Sequence, residues 1–292
     1  MIFLDIGLNA IASGIILGCI YALLSLGLAV TFGVLHIPNV AHPALVIAGA
    51  YVVTLFTGYG IDPILGGLLA AIVFYFLGVA FYEFYARAFE SRGRGQTIQS
   101  LTLFFGVSLL VEIILVIAYG ADLRSVDVGY VGKSLNIGFL QLPFRLLIPA
   151  LLSLPIIGLL WLYLTRTHTG LAIRAVAHDE RAVSIAGINP AVIKRHSFGI
   201  ATALAAFAGS ALIIIAPVDP FAGRLYLGRV FAVVVLAGMG AIPGTLVAAI
   251  MIGVAEALVT AFIAPSWAPG VAFVILLVTL ALRPNGLFGT AS

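Results

Sequence analysis

Gly7-Leu-Asn-Ala-Ile-Ala-Ser-Gly14-Ile-Ile-Leu-Gly18-Cys-Ile-Tyr21-Ala-Leu-Leu-Ser-Leu-Gly27-Leu-Ala-Val-Thr-Phe32 runs without a single charge. It meets Gly33-Val-Leu-His36-Ile-Pro38-Asn39-Val-Ala-His42-Pro43. A membrane-crossing helix needs roughly 20 apolar residues, so the first stretch is long enough to cross. The second holds two prolines, each lacking a backbone N–H, and cannot continue it. Backbone hydrogen bonds in lipid must close internally. Runs this long are therefore helices rather than the roughly ten-residue alternating strands of a barrel.

The rest of the chain follows suit. Of its 292 residues, 63% are hydrophobic and only 9% charged. A soluble domain is roughly a quarter charged, and this much apolar surface cannot be hidden in a core of this size. Disorder is excluded, because disordered chains are poor in apolar residues. The single cysteine, Cys19, excludes a disulfide framework and any multi-cysteine metal site.

Most charges fall in three stretches: Glu83 to Arg94, Asp122 to Arg145, and Arg166 to Arg195. The apolar runs between them place spans at Gly7–Phe32, Ala44–Phe56, Pro63–Tyr82, Ser100–Tyr119 and Phe144–Leu164. Four more lie at Ser197–Ala216, Gly228–Gly240, Thr245–Ile263 and Val271–Leu282. The second, seventh and ninth are short and border Gly or Pro, as half-helices or broken helices do. The expectation is an all-α polytopic membrane protein of about eight or nine crossings, forming one domain over 1–292. The N-terminus lacks a basic leader and its first run is too long for a signal peptide, so that run is expected to stay as a helix. Arg87, Arg92 and Arg94 lie on one side with Arg166, Arg174, Arg181, Lys194, Arg195 and Arg283. Lys and Arg favour the cytoplasmic side, which puts the N-terminus outside and the C-terminus inside.

A long span, a Pro/Gly break and a short span recur. The first break is 33–43; the second is Pro217-Val-Asp219-Pro-Phe-Ala-Gly223. Span parity gives the two occurrences opposite senses, the pattern of inverted repeats with broken helices, here 1–143 and 144–292. Unwound backbone is tolerated at membrane depth only beside protein or a water-lined cavity, so Asn39 and His42 are candidate path residues. Capping of free backbone by the same two side chains is the structural alternative. Glu112 and Glu256 sit inside spans, where a carboxylate is a functional hypothesis by default. No basic residue is evident at matching depth for either. Asp219, Arg224 and Arg229 flank the outer break, where they could receive an external partner protein or pair with one another.

Residues 165–196 carry the most information. Asp179 suits an N-cap, and Ala182, Ile185 and Ala186 share one helical face. Gly187 suits the position just past a helix C-terminus. Asn189-Pro190 reads as N-cap and first turn of the next helix. A short, rigidly held helix of this kind suits a groove on another protein, or a place among lipid headgroups.

Gly170, Arg174-Ala175, Asp179 and Gly187-Ile188 are spaced as in the cytoplasmic coupling loop of ABC-importer permeases of the branched-chain amino acid type, which this segment resembles. Val183 stands where that family has Ala. Gly18-Cys-Ile-Tyr21-Ala-Leu resembles the family's first-helix signature, and Asn39-Val-Ala-His42 its Asn-Phe-Ala-His-Gly motif. Gly238-Met-Gly240-Ala-Ile-Pro243-Gly244, Gly253-Val-Ala-Glu256 and Arg283-Pro-Asn-Gly286-Leu-Phe-Gly289 resemble later blocks.

The resemblance implies a permease of the bacterial inner membrane, paired with a second homologous permease as a heterodimer. Two cytosolic ATPases bind the ATP and Mg, a periplasmic binding protein delivers solute, and this chain holds no cofactor. It implies that Gly170, Arg174, Asp179, Glu180, Arg181, Ala182, Ile185 and Gly187 couple to the ATPases. Tyr21, Asn39, His42, Glu112 and Glu256 are then candidates for the path, and Asp219, Arg224 and Arg229 for binding-protein docking. Val40 and Pro43 depart from the family's usual Phe and Gly, which leaves urea, short amides and carboxylates as alternative solutes. A proton-coupled secondary transporter working through Glu112 or Glu256 is the other alternative.

Enzyme readings fail. Gly132-Lys133-Ser134 tempts as a phosphate loop, but the first glycine position is Asp127. Ser210 lacks the context of a nucleophile, and no His, Asp or Glu cluster has metal spacing. Nothing points to nucleic acid.

Overall fold

The computed structural model describes residues 2–88, 96–137, 140–238, 240–283 and 285–288. Glu90, Arg92, Arg94, Met239, Pro284 and Gly289, used above in the charge clusters and motifs, lie outside them.

The chain is helical almost throughout. In order come α1 (Ile2–Leu35), α2 (His42–Gly58), α3 (Pro63–Ala88), α4 (Gln96–Tyr119), α5 (Phe144–Arg166), α6 (His168–His178) and α7 (Glu180–Ile185). Then follow α8 (Pro190–Ile215), α9 (Gly223–Ala237), α10 (Ile242–Phe262) and, after a 3-10 turn at Pro265–Trp267, α11 (Ala268–Leu282). Seven stretches are long and apolar enough to cross a membrane: α1, α3, α4, α5, α8, α10 and the 265–282 segment. α2 is a shorter apolar helix. α9 has 15 residues, about 22 Å at 1.5 Å each, short of a hydrocarbon core of about 30 Å.

The all-α membrane class holds, with a small antiparallel hairpin of Ser134–Ile137 and Leu140–Pro143 before α5 as an addition. One expectation needs correction, the seventh span, expected at Gly228–Gly240. The helix starts five residues earlier, at Gly223, and stops at Ala237. Its start follows a turn in which Asp219 Oδ1 accepts the Phe221 N–H at 2.7 Å. Its end comes where Gly238 takes φ 93° and Gly240 φ 75°, a backbone region open chiefly to glycine. Arg224, which lay outside the expected span, is inside the helix together with Arg229.

α1 and α8 form the centre, each with 78% of its apolar window buried, whereas α4 has 17%. α1 packs most extensively on α10, and α8 on α3 and α2. Glycine allows backbones to approach closely in membranes, and the pattern holds here. A Cβ added to Gly14 would stand 2.5 Å from Val254 Cα, and one on Gly18 2.5 Å from Ile250 Cα. The rising and falling numbers make α1 and α10 antiparallel.

α1 ends where His36 adopts φ 54°, unusual for a residue with a Cβ, and Pro38 follows. The chain then folds back along α1. Pro43 stands in the first turn of α2, as the sequence implied. A long helix, a break and a short helix thus occur twice, in α1–α2 and α8–α9.

Candidate functional site

The first break is held by its own side chains. Asn39 Oδ1 accepts the Ala41 N–H at 3.1 Å, and the His42 N–H donates to Asn39 O at 3.1 Å. His42 Nε2 lies 2.9 Å from Leu24 O in the body of α1. A carbonyl only accepts, so Nε2 carries the proton and donates. Gly27 makes room for the ring, since a Cβ there would meet His42 Cε1 at 2.5 Å. Leu24 is eleven residues before the end of α1 at Leu35, about 16 Å along the axis. The first turn of α2 therefore starts deep in the structure. Asn39 also borders a cavity of about 230 Å³ walled by Phe81, Phe104 and Phe198.

The second break brings α9 to the same depth. A Cβ on Gly223 would stand 3.2 Å from Ala44 N and from Pro43 C and O. The first turns of α2 and α9 abut through that missing side chain. Neither helix has a side-chain cap.

Both intramembrane carboxylates have basic partners, contrary to expectation, and both partners ride on α9. Arg224 Nε donates to Glu112 Oε1 at 3.1 Å, with Nη2 on Oε2. Arg229 Nε donates to Glu256 Oε1 at 2.9 Å. Five residues at 100° each put the two arginines about 140° apart around the helix. One therefore reaches α4 and the other reaches α10. Starting the short helix at Gly223 would have revealed this from sequence: two buried carboxylates need two cations, and only these two arginines lie within it. Arg224 and Arg229 pair with glutamates, not with Asp219 or each other.

The Glu256 pair is a closed triad. Tyr21 Oη donates to Glu256 Oε2 at 2.7 Å, and the Arg229 guanidinium lies 5.8 Å from the Tyr21 ring centre. Helical side chains lean toward their own N-terminus. In an antiparallel pair they lean toward each other, so Tyr21 and Glu256 meet across the Gly14/Gly18 seam. The Arg229 side chain is 16% exposed, whereas that of Arg224 is 61% exposed.

At the other end of α8, the 165–196 segment has the caps read from its sequence at Asp179, Gly187 and Asn189, and a further one at Thr167. Thr167 Oγ1 accepts the Gly170 N–H at 3.0 Å to start α6. Gly170 lets α6 turn back on α5, where a Cβ would meet Leu164 Cα at 2.5 Å. Asp179 Oδ1 accepts the N–H groups of Arg181 and Ala182 at 2.9 and 3.1 Å to start α7. Gly187 has φ 83°; its N–H bonds Ser184 O, and the Ile188 N–H bonds Val183 O, a complete C-terminal glycine cap. Asn189 Oδ1 caps α8 through the Ala191 N–H at 3.0 Å. Val183 faces inward, and Lys194 on α8 pairs with Glu180 at 2.8 Å. Ala182, Ile185 and Ala186 face outward, Ile185 being 89% exposed. Arg174 and Arg181 are exposed beside them.

A polytopic helical chain with two broken helices, paired charges at depth and a capped element at one end has the architecture of a transport permease. The chain belongs to the family described as branched-chain amino acid transport system, permease component, which matches residues 10–280. It is similar to the high-affinity branched-chain amino acid transport system permease protein BraD of Pseudomonas aeruginosa, 27% identical over 97% of this chain and 95% of BraD. It is likewise 27% identical to the corresponding LivH of Escherichia coli K12, over 97% of this chain and 95% of LivH. A probable LivH of Methanocaldococcus jannaschii is 27% identical over 98% of this chain and 94% of that protein. No solved structure matches. The chain is thus a permease component of a branched-chain amino acid ABC transport system, not a catalytic subunit.

Proposed function

We propose that this chain forms half of the translocation path for branched-chain amino acids, with a second, homologous permease forming the other half. Two ATPases dock on residues 165–196 at the cytoplasmic face and hold the ATP and Mg. A periplasmic binding protein docks outside near Asp219, with the N-terminus outside and the C-terminus in the cytoplasm. The halves 1–143 and 144–292 act as inverted units, and the solute passes the breaks at Asn39 and His42 between the Glu112 and Glu256 pairs.

The capped α7 supports this reading best. A ligand shifts a conformational equilibrium only by its differential binding to the two states, so ATPase movement must reach the membrane through a stiff contact. α7 is capped at both ends, tied by Lys194 to α8, and turns Ala182, Ile185 and Ala186 outward. From α8 the chain passes directly into the second break and α9. Glu112 and Glu256 are each engaged by an arginine rather than standing alone, which counts against the proton-coupled alternative.

Gly187→Pro tests the assignment. Proline cannot adopt φ 83°, and it removes the N–H that bonds Ser184 O. The tagged variant is expected in the membrane without its ATPases, while the unsubstituted chain co-purifies with two ATPases, a second permease and a binding protein. ATPases that stay bound to the variant would sink the coupling role.

A further inference from the structure

A cavity of about 360 Å³ opens where the two breaks meet, within the size range of small-molecule sites. Val40 and Pro43 line it from the first break, and Arg224 and Leu227 from α9. α4 supplies Phe105, Ser108, Leu109 and Glu112. The cavity therefore carries both signs of charge, and apart from Ser108 the other side chains that line it are apolar.

Its depth decides what can fill it. Glu112 is seven residues before the end of α4 at Tyr119, about 10 Å below that end. Arg224 stands in the first turn of α9, which abuts the deep first turn of α2. A guanidinium exposed to this extent cannot face lipid tails at such depth; charges there face water or protein. Glu256 also borders a cavity, of about 530 Å³, but there Tyr21 holds its second oxygen and the Arg229 side chain is 16% exposed against 61% for Arg224, so only at Glu112 does the guanidinium stand open to a solute.

We propose that the Glu112–Arg224 pair is the solute subsite of the permease and that it takes a zwitterionic α-amino acid with an aliphatic side chain. This rests on the importer reading above and adds to it where the solute is held. The solute's carboxylate takes the planar fork of Arg224, which suits bidentate recognition. Its ammonium takes Glu112, and its side chain lies on Val40, Leu109 and Leu227. One ion pair opens and two form, so no net charge is added at membrane depth. The uncapped first turns of α2 and α9 carry partial positive charge, which places the carboxylate on the Arg224 side. A carboxylate without an ammonium, or an amine without a carboxylate, leaves one member of the pair unmatched. The site therefore selects against carboxylates and neutral amides.

The test uses the assembled complex in liposomes, carrying Ser108→Cys. Ser108 lines the cavity one turn of α4 before Glu112, and the native thiol, Cys19, is buried. A charged, water-soluble thiol reagent should label the new thiol. Leucine should slow the labelling, while 4-methylpentanoate and 3-methylbutylamine should not. Adding Glu112→Gln and Arg224→Gln together should weaken leucine protection about tenfold or more, the worth of a lost charge-assisted hydrogen bond. The double change strands no charge, so a merely structural pair would retain uptake in it; a solute site loses uptake with the complex still assembled.

No labelling, or labelling that leucine leaves unchanged, overturns the proposal. So does equal protection by 4-methylpentanoate, or loss of the second permease on the double change, which would make the cavity a subunit seam. If Ser108→Cys does not assemble, Phe105→Cys, which also lines the cavity, gives the same readout. Failure of the importer reading shows separately, as absence of ATP-driven leucine uptake by the unsubstituted complex.

Discussion

The two glutamate–arginine pairs share their chemistry and one helix, yet they differ in how far the arginine is enclosed. Glu256–Arg229 lies between the tightly apposed α1 and α10, with Tyr21 on its second oxygen. Glu112–Arg224 ties down the loosely packed α4 beside an open cavity. An enclosed ion pair resists separation because each ion would be left without water. A pair with access to water can exchange partners. The same two residue types thus make a rivet in one place and a receptor in the other.

The sharpest way to break the comparison is to part the helices that enclose the first pair. Gly18→Leu drives a side chain into the Ile250 backbone and opens the triad as well. The expected loss exceeds the roughly 1–3 kcal/mol usual for overpacking, and detergent extraction should yield no monodisperse complex. A well-behaved complex would show that the seam yields.

Glu256→Ala is next. It leaves Arg229 enclosed without a partner, at about 3–5 kcal/mol, read as a fall in the thermal unfolding midpoint. Glu256→Leu with Arg229→Met should recover most of that loss, because the stranded charge is gone. No recovery would mean that Glu256 does more than pair. The smallest stability effect is expected from Glu112→Ala, since exposed Arg224 can be hydrated. The unfolding midpoint should barely move while leucine uptake falls sharply. Parallel losses at both glutamates would erase the distinction between the pairs.

Much of this was legible in the sequence, for identifiable reasons. Local capping chemistry is written in adjacent residues, so Asp179, Gly187 and Asn189-Pro190 each took their expected places. Long apolar runs announced α1, α3, α4, α5, α8 and α10. Partners distant in the chain were not legible: Glu112 and Arg224 are 112 residues apart. Two arginines in one short helix read as an outer rim because charge was weighed without counting the carboxylates they balance. The hairpin at 134–143 was missed because its strands are only four residues each.

Gly223 has a mechanical consequence. With no side chain between them, the first turns of α2 and α9 bear directly on each other. Together they behave as a single jointed strut with its pivot in the middle and no slack at the joint. A displacement fed in from the α8 side arrives at α2 without first being absorbed by a rotamer. A larger residue at 223 would act as a shim, setting the strut permanently at one angle.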